Sequence, residues 1–315
     1  MPSDEAEFER PRTRERLTAA IVRAALRTTV KPALSPKVPI VWQRWWLAQL
    51  ARLTRASGQT TLEAGTAGGV KGEWLRPRRA GDAAASTTAM GAILYLHGGG
   101  YCVGSPRIHR ALTSRLAGAA GLPVFAADYR LAPEHPFPAA LDDAVAACRS
   151  LMQRGPVVIA GDSAGGGLAL ATALYLRQHA IGSAAALVLF SPWADLTLSA
   201  IADEAARKEV MLSADWLGDC ARRYLAGESA ATPLGSPVFA DLRGLPPTFI
   251  QSGADELLCG DSLRIRDALV AANVTVQCEI IPRYWHTFQL CAGILPAANA
   301  AIARAARFIA LALAH

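Results

Sequence analysis

Paired cysteines, long apolar runs and a strong excess of one charge are all missing from this sequence. Its 315 residues include six cysteines that lie far apart, with no CxxC pair and no Cys/His cluster at zinc-ligand spacing. A disulfide framework or a metal site is therefore not supported, and we expect scattered thiols in a reducing compartment. The longest apolar stretches are broken by Arg or Pro well before a membrane-spanning length.

The beginning of the chain has no apolar core of a secretory signal. The residues MPSDEAEFERPRTRER are charged throughout, which differs from the short apolar region that such signals need. We therefore expect a cytoplasmic protein without stable membrane insertion.

The small net positive charge of the chain lies in its first 60 residues. Residues 1–60 carry eleven Lys/Arg and five Asp/Glu, which accounts for the whole net charge of +6, and the remainder is neutral. The basic residues are mostly Arg on helical patterns without an adjoining recognition motif, so we expect no nucleic-acid partner. We interpret the basic segment as a solvated lid over an apolar site.

Hydrophobic residues make up 52% of the chain, which is enough for a large core. From about residue 90, short apolar runs alternate with Ala/Leu-rich segments, a pattern typical of an α/β fold with a mostly parallel sheet and helices on both faces. The predicted strands are Ala92–Leu96, Val124–Ala127, Val157–Ala160, Leu187–Phe190, Thr248–Gln251 and Val276–Ile281. The predicted helices cover residues 107–119, 137–153, 165–180, 260–272 and 297–313.

Other segments extend or interrupt this pattern. Leu62–Ala64 and Val70–Arg76 predict a hairpin at the sheet edge, and residues 80–90 predict a surface loop. Residues 1–56 and the insertion 193–237 fall outside the alternation and predict a helical cap in two parts. Residues 57–192 and 238–315 then form the domain that contains the sheet.

The sequence Gly161-Asp162-Ser163-Ala164-Gly165 is a G-x-S-x-G motif between a predicted strand and a predicted helix. Such a turn holds a serine hydroxyl on a strained backbone, and the glycines leave room for the turn and the substrate. We predict that Ser163 is a nucleophile, the alternative being an N-cap serine of the helix. Asp162 is interpreted as a structural carboxylate.

His97-Gly98-Gly99-Gly100 follows the predicted strand Ala92–Leu96. A glycine run lets backbone N–H groups converge on the negative charge that builds up on a carbonyl oxygen during ester hydrolysis. We predict an oxyanion hole from the amides of Gly98, Gly99 and Ala164. His97 is expected to hold the loop rather than act as a base.

A serine nucleophile needs an imidazole base, and the imidazole needs a carboxylate to orient it. His286 lies just beyond the last predicted strand, where a loop can reach the serine. Asp255 and Glu256 follow the strand Thr248–Gln251 and offer two adjacent carboxylates, of which only one can be the partner. The chain order serine, acid, histidine is that of an α/β-hydrolase.

Three segments, His97–Gly100, Asp128–Ala140 and Gly161–Gly166, together resemble the bacterial form of the hormone-sensitive lipase family of esterases. The resemblance covers roughly residues 60–310. It implies an α/β-hydrolase fold with a two-part helical cap. It also implies Asp255 as the acid, because the family acid stands first in a D-x-L sequence, and it supports His286 as the base.

The function predicted from these residues is that of a serine carboxylesterase acting on short- to medium-chain acyl esters, without metal or organic cofactor. Tyr101, Trp42 and Trp216 are candidate walls of the substrate pocket, although a helix-on-helix contact better explains aromatic residues at helical spacing, such as Trp42 and Trp45. The alternatives are an arylformamidase or amidase of the same fold and a non-catalytic small-molecule receptor. The resemblance also allows a homodimer.

Overall fold

A computed structural model describes residues 13–78 and 91–314. The loop predicted for residues 80–90 and the first twelve residues of the predicted cap lie outside the described residues. Within the described part, the α/β fold class predicted from the sequence is confirmed.

Eight strands form one sheet in the spatial order β1-β2-β4-β3-β5-β6-β7-β8. Strand β2 pairs antiparallel with β1 and β4, and all other pairs are parallel. The predicted hairpin is thus the antiparallel edge of an otherwise parallel sheet. The strands are β1 Thr60–Ala67, β2 Val70–Pro77, β3 Ala92–Leu96, β4 Val124–Ala127, β5 Val157–Asp162, β6 Ala186–Phe190, β7 Thr248–Gly253 and β8 Val276–Ile281.

The helices follow the strands in the alternation expected for parallel crossovers. They are α1 Thr13–Ala25, α2 Ile40–Leu50, α3 Arg110–Ala120, α4 Ala139–Met152, α5 Ala164–Gln178, α6 Asp203–Lys208, α7 Ala214–Leu225, α8 Cys259–Ala271 and α9 Pro296–Leu313. Residues 26–30 continue α1 as a short π-helix. None of these helices is long and apolar enough to cross a membrane.

Alternate residues of the central strands enter two separate cores. In β3, Leu94 and Leu96 join the core that contains α4 and α5, whereas Ile93 and Tyr95 join the core that contains α3 and α9. Strands buried on both faces need apolar residues at every position, which is why they appear in the sequence as unbroken apolar runs.

The segments 13–56 and 193–237 lie outside the sheet, and we call them together the cap. The indole N–H of Trp216 on α7 donates to Oε1 of Gln43 on α2 at 2.8 Å. The ammonium of Lys31 donates to the carbonyl of Glu209 at 2.8 Å. Direct hydrogen bonds therefore join the two parts of the cap.

Candidate active site

Ser163 lies at the turn from β5 into α5. Its backbone has φ 54° and ψ −123°, a left-handed conformation that a residue with a side chain rarely adopts. Its amide donates to the carbonyl of Phe190 at the end of β6, at 2.9 Å. This is the strained strand-to-helix turn expected of a nucleophile, and it holds the hydroxyl at the carboxyl edge of the sheet.

The two glycines of the motif are required by close packing. A Cβ on Gly161 would lie 2.2 Å from the carbonyl oxygen of Gly165, and a Cβ on Gly165 would lie 2.0 Å from the carbonyl oxygen of Leu96. Neither distance is possible for real atoms. The close packing of β5, α5 and the end of β3 at this turn therefore requires both glycines of the G-x-S-x-G motif.

The loop after β3 runs beside Ser163. A Cβ on Gly98 would lie 3.1 Å from Cβ of Ser163. Gly99 and Gly100 have φ values of 127° and 60°, which glycine adopts without strain. These conformations form a tight turn, in which the carbonyl of Gly99 accepts from the amides of Cys102 and Val103.

The prediction that the amide of Gly98 belongs to the oxyanion hole is wrong. The amide of Gly98 donates to Oδ1 of Asp162 at 3.0 Å, so this N–H is already occupied. The amides of Gly99, Gly100 and Ala164 have no acceptor within residues 13–78 and 91–314. Gly99 and Ala164 thus remain candidates, and Gly100 takes the place of Gly98.

Asp162 is a buried structural carboxylate beneath this loop. It accepts hydrogen bonds from the hydroxyl of Tyr95 at 2.7 Å and from the amide of Gly98, and it pairs with Nε2 of His109 at 3.1 Å. Burial alone would raise the pKa of Asp162, but the His109 partner and the hydrogen bond from Tyr95 bring it below its usual value. The Asp162 carboxylate therefore holds the loop after β3, which we call the oxyanion loop, at Gly98.

His97 does not lie in a position to act as a base. Its Nδ1 contacts the carbonyl oxygen of Gly98 at 2.9 Å, and its ring stacks on Tyr129. Burial, together with the charge of His109, lowers the pKa of His97 to about 4. A neutral, enclosed imidazole packs beneath the loop, as the sequence predicts.

His286 is buried in the loop after β8, and its nearest carboxylate is Glu256. Nδ1 of His286 lies 3.6 Å from Oε1 of Glu256. Neither atom has a hydrogen-bond partner in the described part of the chain. Hydrogen bonds of a catalytic histidine are often long in a free enzyme and shorten when substrate binds.

The other carboxylate oxygen of Glu256, Oε2, accepts two hydrogen bonds. Oε2 accepts from the hydroxyl of Ser191 at 2.8 Å and from the amide of Gly253 at 3.0 Å. Two donors thus fix the carboxylate while Oε1 is left facing His286. A fully buried carboxylate oxygen without a donor is costly, which indicates that Nδ1–H of His286 is its intended partner.

Asp255, the acid that the family pattern implies, points elsewhere. Its Oδ2 forms an ion pair of 2.8 Å with the guanidinium of Arg23 on α1. The same guanidinium donates to the carbonyl of Arg283 at 2.7 Å and lies over the ring of Trp285. Adjacent side chains diverge, so one carboxylate faces the histidine while its neighbour faces the cap. The prediction that Asp255 orients His286 is therefore wrong.

Ser191 connects Glu256, the loop of His286 and the turn of Ser163. Besides donating to Glu256, its hydroxyl accepts from the amide of Thr287 at 3.1 Å. Ser191 directly follows Phe190, whose carbonyl accepts the amide of Ser163. A continuous chain of hydrogen bonds and one peptide unit thus leads from the serine turn to the residue after His286.

Three carboxylates act on the charge of His286. Burial disfavours the imidazolium, but Glu256, Glu209 and Asp162 outweigh burial and raise the pKa of His286. Glu209, itself buried, accepts from three successive amides of the cap and from the amide of Leu257 beside the acid at 3.1 Å. The surroundings thus favour the positive charge that a general base acquires during catalysis.

The structure brings two of the three predicted pocket residues to the oxyanion loop. Tyr101 directly follows the glycine run and stacks on Tyr224 of α7, with ring centroids 3.8 Å apart. A Cβ on Gly100 would lie 3.0 Å from Cη2 of Trp216. Trp42 instead lies on the outer surface of α2 and is 60% exposed.

The sequence interpretation missed Glu256, Gly100, Ser191 and Glu209. Glu256 was visible as one of two adjacent carboxylates and Gly100 as the last of the glycine run, but their assignment depends on side-chain and amide directions. Glu209 and Ser191 carried no motif signal. In the described ranges, no group of three or more His, Cys, Asp or Glu side chains could hold a metal ion.

Several known proteins are similar to this chain over most of its length. A family model described as alpha/beta hydrolase fold matches residues 93–290. The chain is 42% identical over 250 residues to an acetyl-hydrolase of Streptomyces hygroscopicus, covering 78% of this chain and 81% of that protein. It is 35% identical over 297 residues to an esterase of Acinetobacter venetianus, covering 92% and 94%.

A solved structure extends the likeness to the whole fold. The crystal structure of an esterase from the bacterial hormone-sensitive lipase family superimposes with a TM-score of 0.85 at 32% identity, covering 96% of this chain and all of that one. The sheet and these likenesses together define an α/β-hydrolase with esterase activity. Within that class, the chain belongs to the bacterial hormone-sensitive lipase family.

Proposed function

We propose that the protein is a serine carboxylesterase that forms an acyl-enzyme on Ser163 and acts on esters with short- to medium-chain acyl groups. The observation that carries the mechanism is the facing pair of Glu256 Oε1 and His286 Nδ1, each without another partner in the described chain. This pair completes the set of nucleophile, base and orienting acid.

In the first step, Nε2 of His286 removes the proton of the Ser163 hydroxyl while the oxygen attacks the ester carbonyl. The amides of Gly99, Gly100 and Ala164 stabilise the oxyanion of the tetrahedral intermediate. The imidazolium then gives its proton to the leaving alkoxide, and the alcohol departs from the acyl-enzyme.

In the second step, His286 takes a proton from water, which attacks the acyl carbonyl. Collapse of the second tetrahedral intermediate returns the proton to Ser163 and releases the carboxylic acid. Throughout, the Glu256 carboxylate holds Nδ1–H and stabilises the imidazolium without itself becoming protonated.

The enclosed surroundings of the oxyanion loop support a preference for small acyl groups. Trp216 and Cys220 of α7 approach Gly100 closely, and Tyr101 is stacked on Tyr224. The similarity to a protein named acetyl-hydrolase agrees with this preference.

The test is a series of p-nitrophenyl esters from acetate to laurate, measured as kcat/KM for the wild type and for Ser163→Ala. We expect the highest values for short and medium acyl chains and loss of turnover in Ser163→Ala. Wild-type turnover in that variant would overturn the mechanism, and a maximum at laurate would overturn the substrate class.

A further inference from the structure

The outer face of α2 carries large apolar side chains in solvent. Val41, Trp42 and Trp45 are 65%, 60% and 51% exposed, and Leu53 just after the helix is 79% exposed. The rings of Trp42 and Trp45 touch edge to face, with centroids 5.9 Å apart. Two neighbouring exposed tryptophans are unusual on a surface that contacts only water.

This face is fixed in its outward orientation. Gln43, on the opposite side of α2, is buried and donates to the carbonyls of Ser35 and Val38 at 3.0 and 2.8 Å. Its amide oxygen also accepts the indole N–H of Trp216. Rotating the tryptophans inward would break all three hydrogen bonds, so the apolar face remains available to a partner.

One exposed cation aligns with this face, and two more lie near the ends of α2 in the chain. Hydrogen bonds from the amides of Arg52 and Leu53 to Gln49 and Leu50 continue the helical turn, and Arg52 therefore aligns with Val41 and Trp45 at a spacing of eleven and seven residues. Arg52 is exposed, as are Arg55 after it and Lys37 before the helix.

The segment that contains α2 carries a strong excess of positive charge. Residues 13–56 contain nine Lys/Arg and one acidic residue, Glu15. Some of these cations are engaged elsewhere, since Arg23 pairs with Asp255 and Arg44 with Glu134. Lys37, Arg52 and Arg55 form no ion pair with any described residue.

We propose that this face, made of Val41, Trp42, Trp45 and Leu53 with the flanking cations, docks onto anionic phospholipid surfaces. Indole rings settle at the boundary between headgroups and acyl chains, and Lys/Arg side chains attract anionic headgroups. A second copy of the chain fits less well, because a two-fold contact through this face would bring its cations toward each other.

The test is cosedimentation of the full-length protein with vesicles of equal parts phosphatidylglycerol and phosphatidylcholine, or of phosphatidylcholine alone. We expect at least tenfold stronger binding to the anionic vesicles. Trp42→Ala/Trp45→Ala should weaken that binding at least tenfold. Lys37→Gln, Arg52→Gln and Arg55→Gln should each weaken it about fivefold.

Matched controls separate this face from general surface properties. Val270→Ser removes an apolar side chain that is 58% exposed on α8, and Arg149→Gln/Arg154→Gln removes exposed cations elsewhere. Both should bind like the wild type. Thermal unfolding checks that each variant is folded, and if the double tryptophan variant does not fold, the charge variants decide.

Equal binding to neutral and anionic vesicles, or no binding to either, would overturn the proposal. It would also fail if the controls weakened binding as much as the changes in α2. Sedimentation velocity without lipid tests whether a second copy of the chain occupies the face. A dimer that dissociates in the double tryptophan variant would assign the face to self-association instead. None of these measurements involves turnover, so the result is independent of the proposed mechanism.

Discussion

Removing the negative charge of Glu256 or of Asp255, one at a time, tests which of the two carboxylates supports His286. Glu256→Gln keeps the shape of the side chain and the acceptor for Ser191 but removes the charge that faces Nδ1. Loss of the triad carboxylate in serine hydrolases lowers kcat by about 10⁴-fold. We expect a decrease of that order, measured with p-nitrophenyl butyrate.

Asp255→Asn is the matched control. It breaks an ion pair with Arg23 in which both side chains are partly exposed, an interaction worth about 0.2–1 kcal/mol. Transmitted in full to the transition state, this loss would lower kcat/KM by at most about fivefold. A large loss in Asp255→Asn together with near-normal activity in Glu256→Gln would refute the assignment.

The pH profile gives a second readout of the same pair. His286 must be neutral to act as a base, so kcat/KM falls as the pH drops through its pKa. Burial lowers this pKa and the carboxylates, led by Glu256, raise it. Removing the Glu256 charge should therefore move the acidic limb of the residual activity to lower pH. An unchanged limb would contradict the direct interaction.

Three further variants test the support of the site. Ser191→Ala removes a donor to the Glu256 carboxylate, a hydrogen bond worth about 1.5–3 kcal/mol, so kcat should fall about 10- to 100-fold with KM little changed. Asp162→Asn leaves the buried His109 without its anion, and urea denaturation should show a free energy of unfolding lower by about 3–5 kcal/mol. Gly98→Ala would place a Cβ 2.3 Å from a carboxylate oxygen of Asp162, and displacement of the oxyanion donors should lower kcat about 10²- to 10³-fold. Wild-type values in any of these assays would contradict the corresponding contact.

The central strands were predictable because they are buried on both faces. Ala92–Leu96 and Val124–Ala127 have the same bounds in the sequence prediction and in the structure, and so does the edge strand Val276–Ile281. The carboxyl end of β5 extends two residues further, to Asp162. Its last residues are Gly and Asp, which are rare in strands, and the strained turn rather than local preference sets that boundary.

The site was predictable only where a motif determines the local backbone geometry. A G-x-S-x-G motif implies its own backbone geometry, so the strained turn at Ser163 was predictable from the sequence alone. Neither the choice between Asp255 and Glu256 nor the choice among the three glycines is local. The first depends on Arg23, which is more than two hundred residues away, and the second depends on the acceptor that Asp162 provides for Gly98.

Covalent trapping of the nucleophile tests the central claim most directly. The full-length enzyme is treated with a p-nitrophenyl phosphonate, and the modified peptide is identified by tandem mass spectrometry. We predict stoichiometric labelling of Ser163, in step with loss of esterase activity, and very slow labelling in His286→Ala. Labelling of another residue, or full activity after Ser163 is modified, would contradict the account.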